Sequence, residues 1–358
     1  MVQAKLSAFK GFSIASKPAD DMPATTRSKK GTVATATATT TTTVPAASAA
    51  APAPAAAAAP APIPSHPPSS VRTPTKPPPQ PWQELTVRNW HPRDDSIVFD
   101  EPTHVYTVNG TYEGWTSCTG FIHDFFHHFD ADKVIKGMMA RPSWPQHELY
   151  GKTVQEIKKM WNDNGNAASG AGTAMHLAIE QFMHGHPEVI DPVVMDTPEW
   201  LYFKNFWSDM KGDLVPYRSE WEVWSEEHKL AGSIDMIFYR KSDDSYVIYD
   251  WKRSKEIKTE AFGNQKGFGP VSHLPDCNYW HYTLQLNIYR WFLETFYGLK
   301  ISDTYLVIMH PNNKNYKRYK LNRLEEEVLG MLDCRLAAVK AGSKKRILIE
   351  DMVEDGGH

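Results

Sequence analysis

The sequence predicts an α/β domain, a central mixed β-sheet flanked by helices, set behind a long disordered tail. Three observations carry that expectation. Composition breaks near residue 82: all twelve Trp lie from Trp82 onward, and residues 1–81 hold no Tyr and only two Phe, Phe9 and Phe12. Twelve of the 26 Pro crowd into residues 51–82, beside runs such as Thr39–Thr43 and Ala55–Ala59, and such a stretch cannot bury a core. Three strand-like runs then follow one another at 216–224, 229–240 and 246–252, and helical stretches bracket them on both sides. About 260 residues remain behind the tail, enough for one large domain or two small ones. The chain therefore divides into a terminal peptide (1–20), a Thr/Ala/Pro-rich linker (21–82), a folded domain (83–342) and a C-terminal tail (343–358).

Each element has a local reason. His104–Glu113 reads as two short strands around Asn109-Gly110, the strongest short hairpin signal. A helical stretch runs from about Cys118 to Met139, its aromatic cluster Phe125–Phe129 packing in the core. A second helix covers Val154–Asp163. Asn164–Gly172, with Gly165, Gly170 and Gly172, reads as a small-residue loop, and Thr173 as the N-cap of a third helix running to Phe182. In the strands, alternation assigns faces. Ser233, Asp235 and Ile237 point one way, and Ile234, Met236 and Phe238 the other. Ile248, Asp250 and Lys252 share one face of the next strand, and Val247, Tyr249 and Trp251 share the other. Ser242–Ser245 is a solvated turn. Glu256–Pro275 is long and Gly-rich, and reads equally as an ordering flap or a mobile loop. Asn278–Tyr297 is a helix and Thr304–His310 a strand. Lys314, Lys317, Arg318 and Lys320 form a basic strand best read as a solvated edge. Leu321–Ala341 is an amphipathic helix.

Charge divides as composition does. Residues 1–82 carry eight Lys/Arg against two Asp/Glu, a net of +6, and the remainder carries 31 against 40, a net of −9. An acidic body argues against a general nucleic-acid coat protein, but not against an enzyme that holds cations with carboxylates. Cys118, Cys277 and Cys334 are few, odd in number and far apart. They argue against a disulfide framework and for a reducing intracellular compartment. They also exclude a four-Cys zinc site or iron–sulfur cluster built from this chain alone. No apolar run approaches ~18 residues, so no membrane span is expected.

Chemistry concentrates at the strand ends. A carboxylate at the end of an otherwise apolar strand is costly unless paired or metal-bound, and two successive strands carry one each, Asp235 and Asp250. Lys252 stands beside Asp250, about 7 Å along the strand. His176 and Glu180 are one helical turn apart and share a face, an arrangement that taken alone is more often a surface contact than a site.

Asp235 and, fifteen positions later, Asp250-Trp251-Lys252 have the spacing and chemistry of a PD-(D/E)XK nuclease. Gly172-Thr-x-x-His176, Gly232-Ser-Ile-Asp235, Asp250-Trp-Lys252 and Gln285-Leu-Asn-Ile-Tyr289 occur in order. The last is similar to the Q-x-x-x-Y motif of the RecB-like branch. Residues 100–320 as a whole resemble that branch, which includes the mitochondrial genome maintenance exonuclease. The resemblance implies a restriction-endonuclease-like core and hydrolysis of phosphodiester bonds with Mg²⁺ or Mn²⁺. It implies no iron–sulfur cluster, because the four-Cys staple of some members is missing. By the same resemblance Asp235, Asp250, the Trp251 carbonyl and His176 hold metal, and Lys252 orients the attacking water or helps deprotonate it. Gln285 and Tyr289 hold DNA or the catalytic Lys, and Arg253 and Lys255 meet phosphates. Glu180 would orient His176 or hold a water. Glu220 has either a cross-strand or a second-metal role.

The expected function is a single-strand or flap DNA exonuclease of replication, repair or recombination. A structure-specific endonuclease or an RNA-processing nuclease would use the same residues. A non-catalytic clamp- or DNA-binding adaptor would be expected to lose Asp235, Asp250 or Lys252, and all three are present. In the tail, Gln3, Leu6 and Phe9 at i, i+3 and i+6, followed by Phe12, resemble a sliding-clamp-binding peptide. A transit peptide, with Lys5, Lys10 and Lys17 and no acid, and a pattern without function are the alternatives. A nuclear or viral replication site is expected ahead of a mitochondrial one.

Overall fold

The computed structural model describes Lys76 and residues 79–342. The clamp-peptide residues Gln3, Leu6, Phe9 and Phe12, nearly all of the linker and the 343–358 tail lie outside the described residues. The linker's last residues already belong to the domain: Trp82 packs edge-on against His184, with ring centroids 5.5 Å apart.

The described chain begins with a short helix, α1 (Glu84–Arg88), and a 3-10 turn, Pro92–Ser96. Strands β1 (Ile97–Asp100) and β2 (Val105–Val108) then pair antiparallel over four residues. This corrects the expected hairpin. Asn109 and Gly110 do turn at positive φ, 50° and 79°, but the chain beyond them makes a single bridge, Thr111 to Val108. Ile97 and Phe99 pack in one cluster with Tyr106 and Val108, whereas Tyr112 stays exposed.

A two-residue strand, β3 (Thr116–Ser117), leads into α2 (Cys118–His123) and, after a break, α3 (Ala131–Met139). One continuous helix was expected here. Asp130 instead caps α3, its Oδ1 accepting from Lys133 N at 3.0 Å, while Phe125 and Phe126 turn into the core. Phe129 is not core: it stays 48% exposed.

The largest departure is α4 (Val154–Met183), one helix of 30 residues where two helices and a Gly-rich loop were expected. Its cap is Thr153, not Thr173. The Thr153 hydroxyl accepts from Glu156 N, and the Glu156 carboxylate accepts from Thr153 N at 2.7 Å. Gly170 and Gly172 lie on open helix surface, at a cost of about 1 kcal/mol each relative to Ala. Both ends of the helix are anchored: Ile157 packs with Ile135 and Met138, and Met175, Ala178, Ile179 and Met183 pack under the sheet. Packing at both ends outweighs poor propensity between them.

Two further helices, α5 (Pro192–Met195) and α6 (Pro198–Met210), precede the sheet strands β4 (Leu214–Ser225), β5 (Leu230–Arg240) and β6 (Ser245–Lys252). The long helix α7 (Asn278–Phe296), strand β7 (Ile301–Ile308), edge strand β8 (Lys317–Lys320) and helix α8 (Glu325–Lys340) complete the domain. The sheet is mixed and six-stranded, ordered β3-β5-β6-β7-β8, with β4 also on β5. Helices cover both faces. Ile237, Ile248 and Ile308 pack toward α7 and α8, and Met236, Phe238, Val247, Tyr249 and Trp251 pack toward α4 and α6. The α/β expectation therefore holds at this level.

Strict alternation does not hold through β5. Ile234 packs in the same core cluster as Ile237, and Met236 and Phe238 pack in the other, so the strand switches faces at Asp235. The 256–275 segment is packed: Val271 and Leu274 are buried, Phe268 N donates to Phe125 O at 2.8 Å, and Pro270 lies against Gly330 of α8.

Candidate metal centre

The sheet makes the site by sharing one edge of β5 between two strands. β4 runs along the whole of one edge, from Leu230 to Arg240. On the other edge β3 pairs with Leu230 and Ala231, and β6 pairs from Met236 onward. Between them Gly232–Asp235 is left without a strand partner on that side. Asp235 fills part of the gap itself, its Oδ2 accepting from Trp251 N at 2.8 Å. At Gly232 the ring of Tyr289 comes so close that an added Cβ would lie 2.5 Å from its Cε1. The Gly is required by this approach, not by φ.

Opposite Asp235, β4 is distorted. Glu220 has φ +40° in mid-strand, a left-handed value that costs a non-Gly residue about 1–3 kcal/mol. Its carboxylate accepts from Ser233 Oγ at 3.3 Å and lies 3.6 Å from His176 Nδ1. Asp235 Oδ2 lies 3.6 Å from the same nitrogen. His176 Nε2 is 2.9 Å from Trp251 O. A carbonyl only accepts, so Nε2 carries the proton and Nδ1 is the atom turned to the two carboxylates. The three donor atoms lie within 4.8 Å of one another, and this is the one such His/Cys/Asp/Glu group among the described residues.

Its electrostatics call for a cation. Burial opposes a charged His176, but Asp235 and Glu220 more than offset it and raise the imidazole to about 9. Burial pushes the Asp235 carboxyl up, against the pull of His176 and Lys252. Asp250, 2% exposed, is pushed up by burial and then by Asp235. A half-buried imidazole nitrogen facing two carboxylates, with Glu220 open to solvent, favours positive charge between them, a proton or a divalent metal. One nitrogen and two carboxylate oxygens suit Mn²⁺, and with added water Mg²⁺.

The expected residues sort into three groups. His176, Asp235 and Glu220 converge, Glu220 more closely than its uncertain standing in the sequence suggested. Asp250 and Lys252 lie beside them as an ion pair, Nζ to Oδ2 at 2.5 Å. Lys252 Nζ also sits 5.2 Å from the centre of the Tyr282 ring. Burial opposes its charge, but Asp250 and Asp235 raise its pKa above the usual lysine value.

The rest lie outside this cluster. Glu180 is outside the donor group: its Oε1 accepts from Gln83 Nε2 at 3.3 Å and lies 3.9 Å from His184, and burial followed by Glu220 raises it to about 7. The Trp251 carbonyl is taken by His176. Tyr289 is 3% exposed and accepts from Gln285 Nε2 at 3.1 Å, so it supports β5 rather than facing a substrate. Arg253 Nε donates to Glu199 Oε1 of α6 at 2.7 Å, and Lys255 is exposed. Tyr282, one turn before Gln285 on the same face of α7, is the contact that motif spacing alone did not single out.

No protein-family model and no curated protein matches the chain. Among solved structures, the one described as "Crystal structure of SSO0001" is similar at 14% identity and a TM-score of 0.29, over 64% of this chain and 78% of that one. A likeness that loose supports no statement about fold or activity. Among the described residues, no helix is long and apolar enough to cross a membrane.

Proposed function

We propose that the protein is a divalent-metal-dependent nuclease of the PD-(D/E)XK type, acting on single-stranded ends or flaps of DNA. The observation that carries this is the gathering of His176 Nδ1, Glu220 and Asp235 within 4.8 Å at the parted strands, next to the Asp250–Lys252 pair. His176, Glu220 and Asp235, with Asp250 beside them, would hold the metal. When bound, a divalent metal supplies Lewis acidity to a phosphate oxygen and makes water a stronger nucleophile at neutral pH. Lys252 has its ammonium fixed by Asp250 on one side and the Tyr282 ring on the other. It presents positive charge where negative charge grows on the scissile phosphate. Asp235 ties β5 to β6 through Trp251 N, and His176 ties α4 to β6 through Trp251 O. These two bonds hold the donors in one place before substrate arrives. The Gln285–Tyr289 pair acts from behind, keeping β5 at its distance from α7.

The test is cleavage of end-labelled single-stranded, duplex and flap DNA, and of RNA, with Mg²⁺, Mn²⁺ or chelator. Cleavage should need metal and favour the single-stranded or flap DNA. Asp250→Ala and Lys252→Ala should each lower the rate by about two orders of magnitude or more. No cleavage by wild type with either metal, or full activity in Asp250→Ala, refutes the proposal.

A further inference from the structure

The far end of the sheet carries a basic surface that the catalytic reading leaves unused. Register aligns it with the site: Lys252 pairs with Ile308, and Ile308 pairs with Lys317. Paired residues point to the same face, so Lys317 lies on the face of Lys252, two strand spacings or about 10 Å away. The other two cations of β8 are spent on the opposite face, Arg318 stacked on Tyr305 at 4.0 Å and Lys320 paired with Asp303 at 2.5 Å. Lys255, Lys314 and Lys317 are exposed and have no ion-pair partner among the described residues.

The loop that bears Lys314 and Lys317 is built rather than slack. Tyr202 Oη donates to Asn313 O at 2.5 Å, and Asn205 Nδ2 donates to Asn315 Oδ1 at 3.0 Å. Tyr316 Oη donates to Asp209 Oδ2 at 2.5 Å, and His310 Nδ1 accepts from Asn312 N at 3.1 Å. Three residues of α6 therefore hold the loop, and the same helix holds Arg253 through Glu199. Asn312–Lys317 border a shallow, open hollow, with both Lys314 and Lys317 on its rim. Exposed ammonium groups carried on a loop held in place are matched by a ligand that only accepts and is negatively charged, as phosphodiester oxygens are.

The geometry points to the Asn312–Lys317 loop, with Lys255, as a docking surface for the phosphate backbone of the nucleic-acid strand a few nucleotides from the scissile bond. This deepens the nuclease reading and rests on it. The surface gives the strand a direction, from Lys252 across the ends of β6 and β7 to the edge strand. It selects for a backbone rather than a base sequence, because the groups that carry the contact, Lys255, Lys314 and Lys317, are cations suited to phosphate.

The test is binding of a fluorescein-labelled oligothymidine to the full chain, by anisotropy in chelator across a salt series. Wild type is compared with the Lys314→Gln/Lys317→Gln double variant. Lys300→Gln, at the opposite end of β7, is the control. For a single strand each lost phosphate contact lowers the slope of log K against log salt by about 0.7. The double variant should thus lose about 1.4 in slope and bind about 25-fold more weakly at 0.1 M salt, and the control should match wild type. Cleavage of the same oligonucleotide with Mn²⁺ is followed in parallel. If wild type cleaves and the double variant keeps the wild-type slope, the surface is wrong and the nuclease reading stands. The surface is equally refuted if Lys300→Gln loses as much as the double variant. If binding shifts as expected but wild type does not cleave, the surface stands as a nucleic-acid contact and the nuclease reading falls. If wild type neither binds nor cleaves, both fall.

Discussion

Gly232→Ala adds one methyl group where the structure has no room for it. The new Cβ would lie 2.5 Å from Tyr289 Cε1, 2.6 Å from its Oη and 2.9 Å from its Cζ. Tyr289 cannot swing aside cheaply, because it is 3% exposed among Leu286, Ile288 and Phe292. Overpacking of this kind costs about 1–3 kcal/mol. Replacing Gly by Ala recovers about 0.4–1 kcal/mol by restricting the unfolded chain. The net loss should be about 1–2 kcal/mol, or roughly 2–8 °C in Tm for a domain of this size. The position immediately precedes Ser233–Asp235, so the same change should displace Asp235 and weaken metal binding. Tyr289→Leu in the same chain should relieve the clash, so that the double variant is more stable than the sum of the two single losses. Calorimetric melting of the four proteins measures this. A Gly232→Ala protein as stable as wild type, or additive losses in the double variant, refutes the view that Tyr289 sets the position of β5.

Two further outcomes follow from buried charge. Asp94 is 4% exposed and accepts from Arg218 Nη1 at 2.8 Å, Trp221 Nε1 at 2.7 Å and His91 N at 3.0 Å; Asp94→Ala, which strands a buried guanidinium, should cost about 3–5 kcal/mol, read from urea midpoints, and a loss under 1 kcal/mol would count against it. His184 is buried with Nδ1 accepting from Leu85 N at 2.9 Å, and burial followed by the charge of Arg218 lowers it to about 4. The unfolded imidazole takes a proton near pH 6.5 and the folded one does not until about pH 4. Stability is therefore fully present above pH 6.5 and is lost as pH falls through that window, by up to about 3 kcal/mol. His184→Gln should flatten this slope in denaturation midpoints, and an unchanged slope contradicts the assignment.

The strands β4, β5, β6 and β7 and the helix α7 were legible because their patterns are strong and local: alternating apolar runs of eight to twelve residues and a long apolar face. Asp250 and Lys252 were legible for a related reason, since charges toward the end of an apolar strand stand out; Asp235, expected at a strand end, lies instead in the middle of β5, where it is a carboxylate inside an apolar run. The continuity of α4 was not, because packing around Ile157 at one end and Met175 at the other decides it, and the residues between argue locally for a loop. Neither was the prominence of Glu220. Alternation along β4 places it on a face with Glu222, but its positive φ and its approach to His176 on α4 have no local signal in the sequence. Asp94 and Arg218 are 124 positions apart and carry no local signal of their meeting. Tyr289 was expected to hold DNA or the catalytic Lys, because motif spacing marks a residue as special without saying whether it faces a ligand, a neighbouring side chain or the backbone of β5.

The most direct test of the account is a calorimetric titration of the full chain with Mn²⁺, using wild type, Asp235→Asn and Glu220→Gln. The account predicts saturable binding to wild type and at least tenfold weaker binding to each variant. It predicts this for Glu220→Gln as much as for Asp235→Asn, because both carboxylates lie 3.6 Å from the same nitrogen of His176. A wild-type protein that takes up no Mn²⁺, or variants that bind it as wild type does, would contradict the metal centre and the nuclease function built on it.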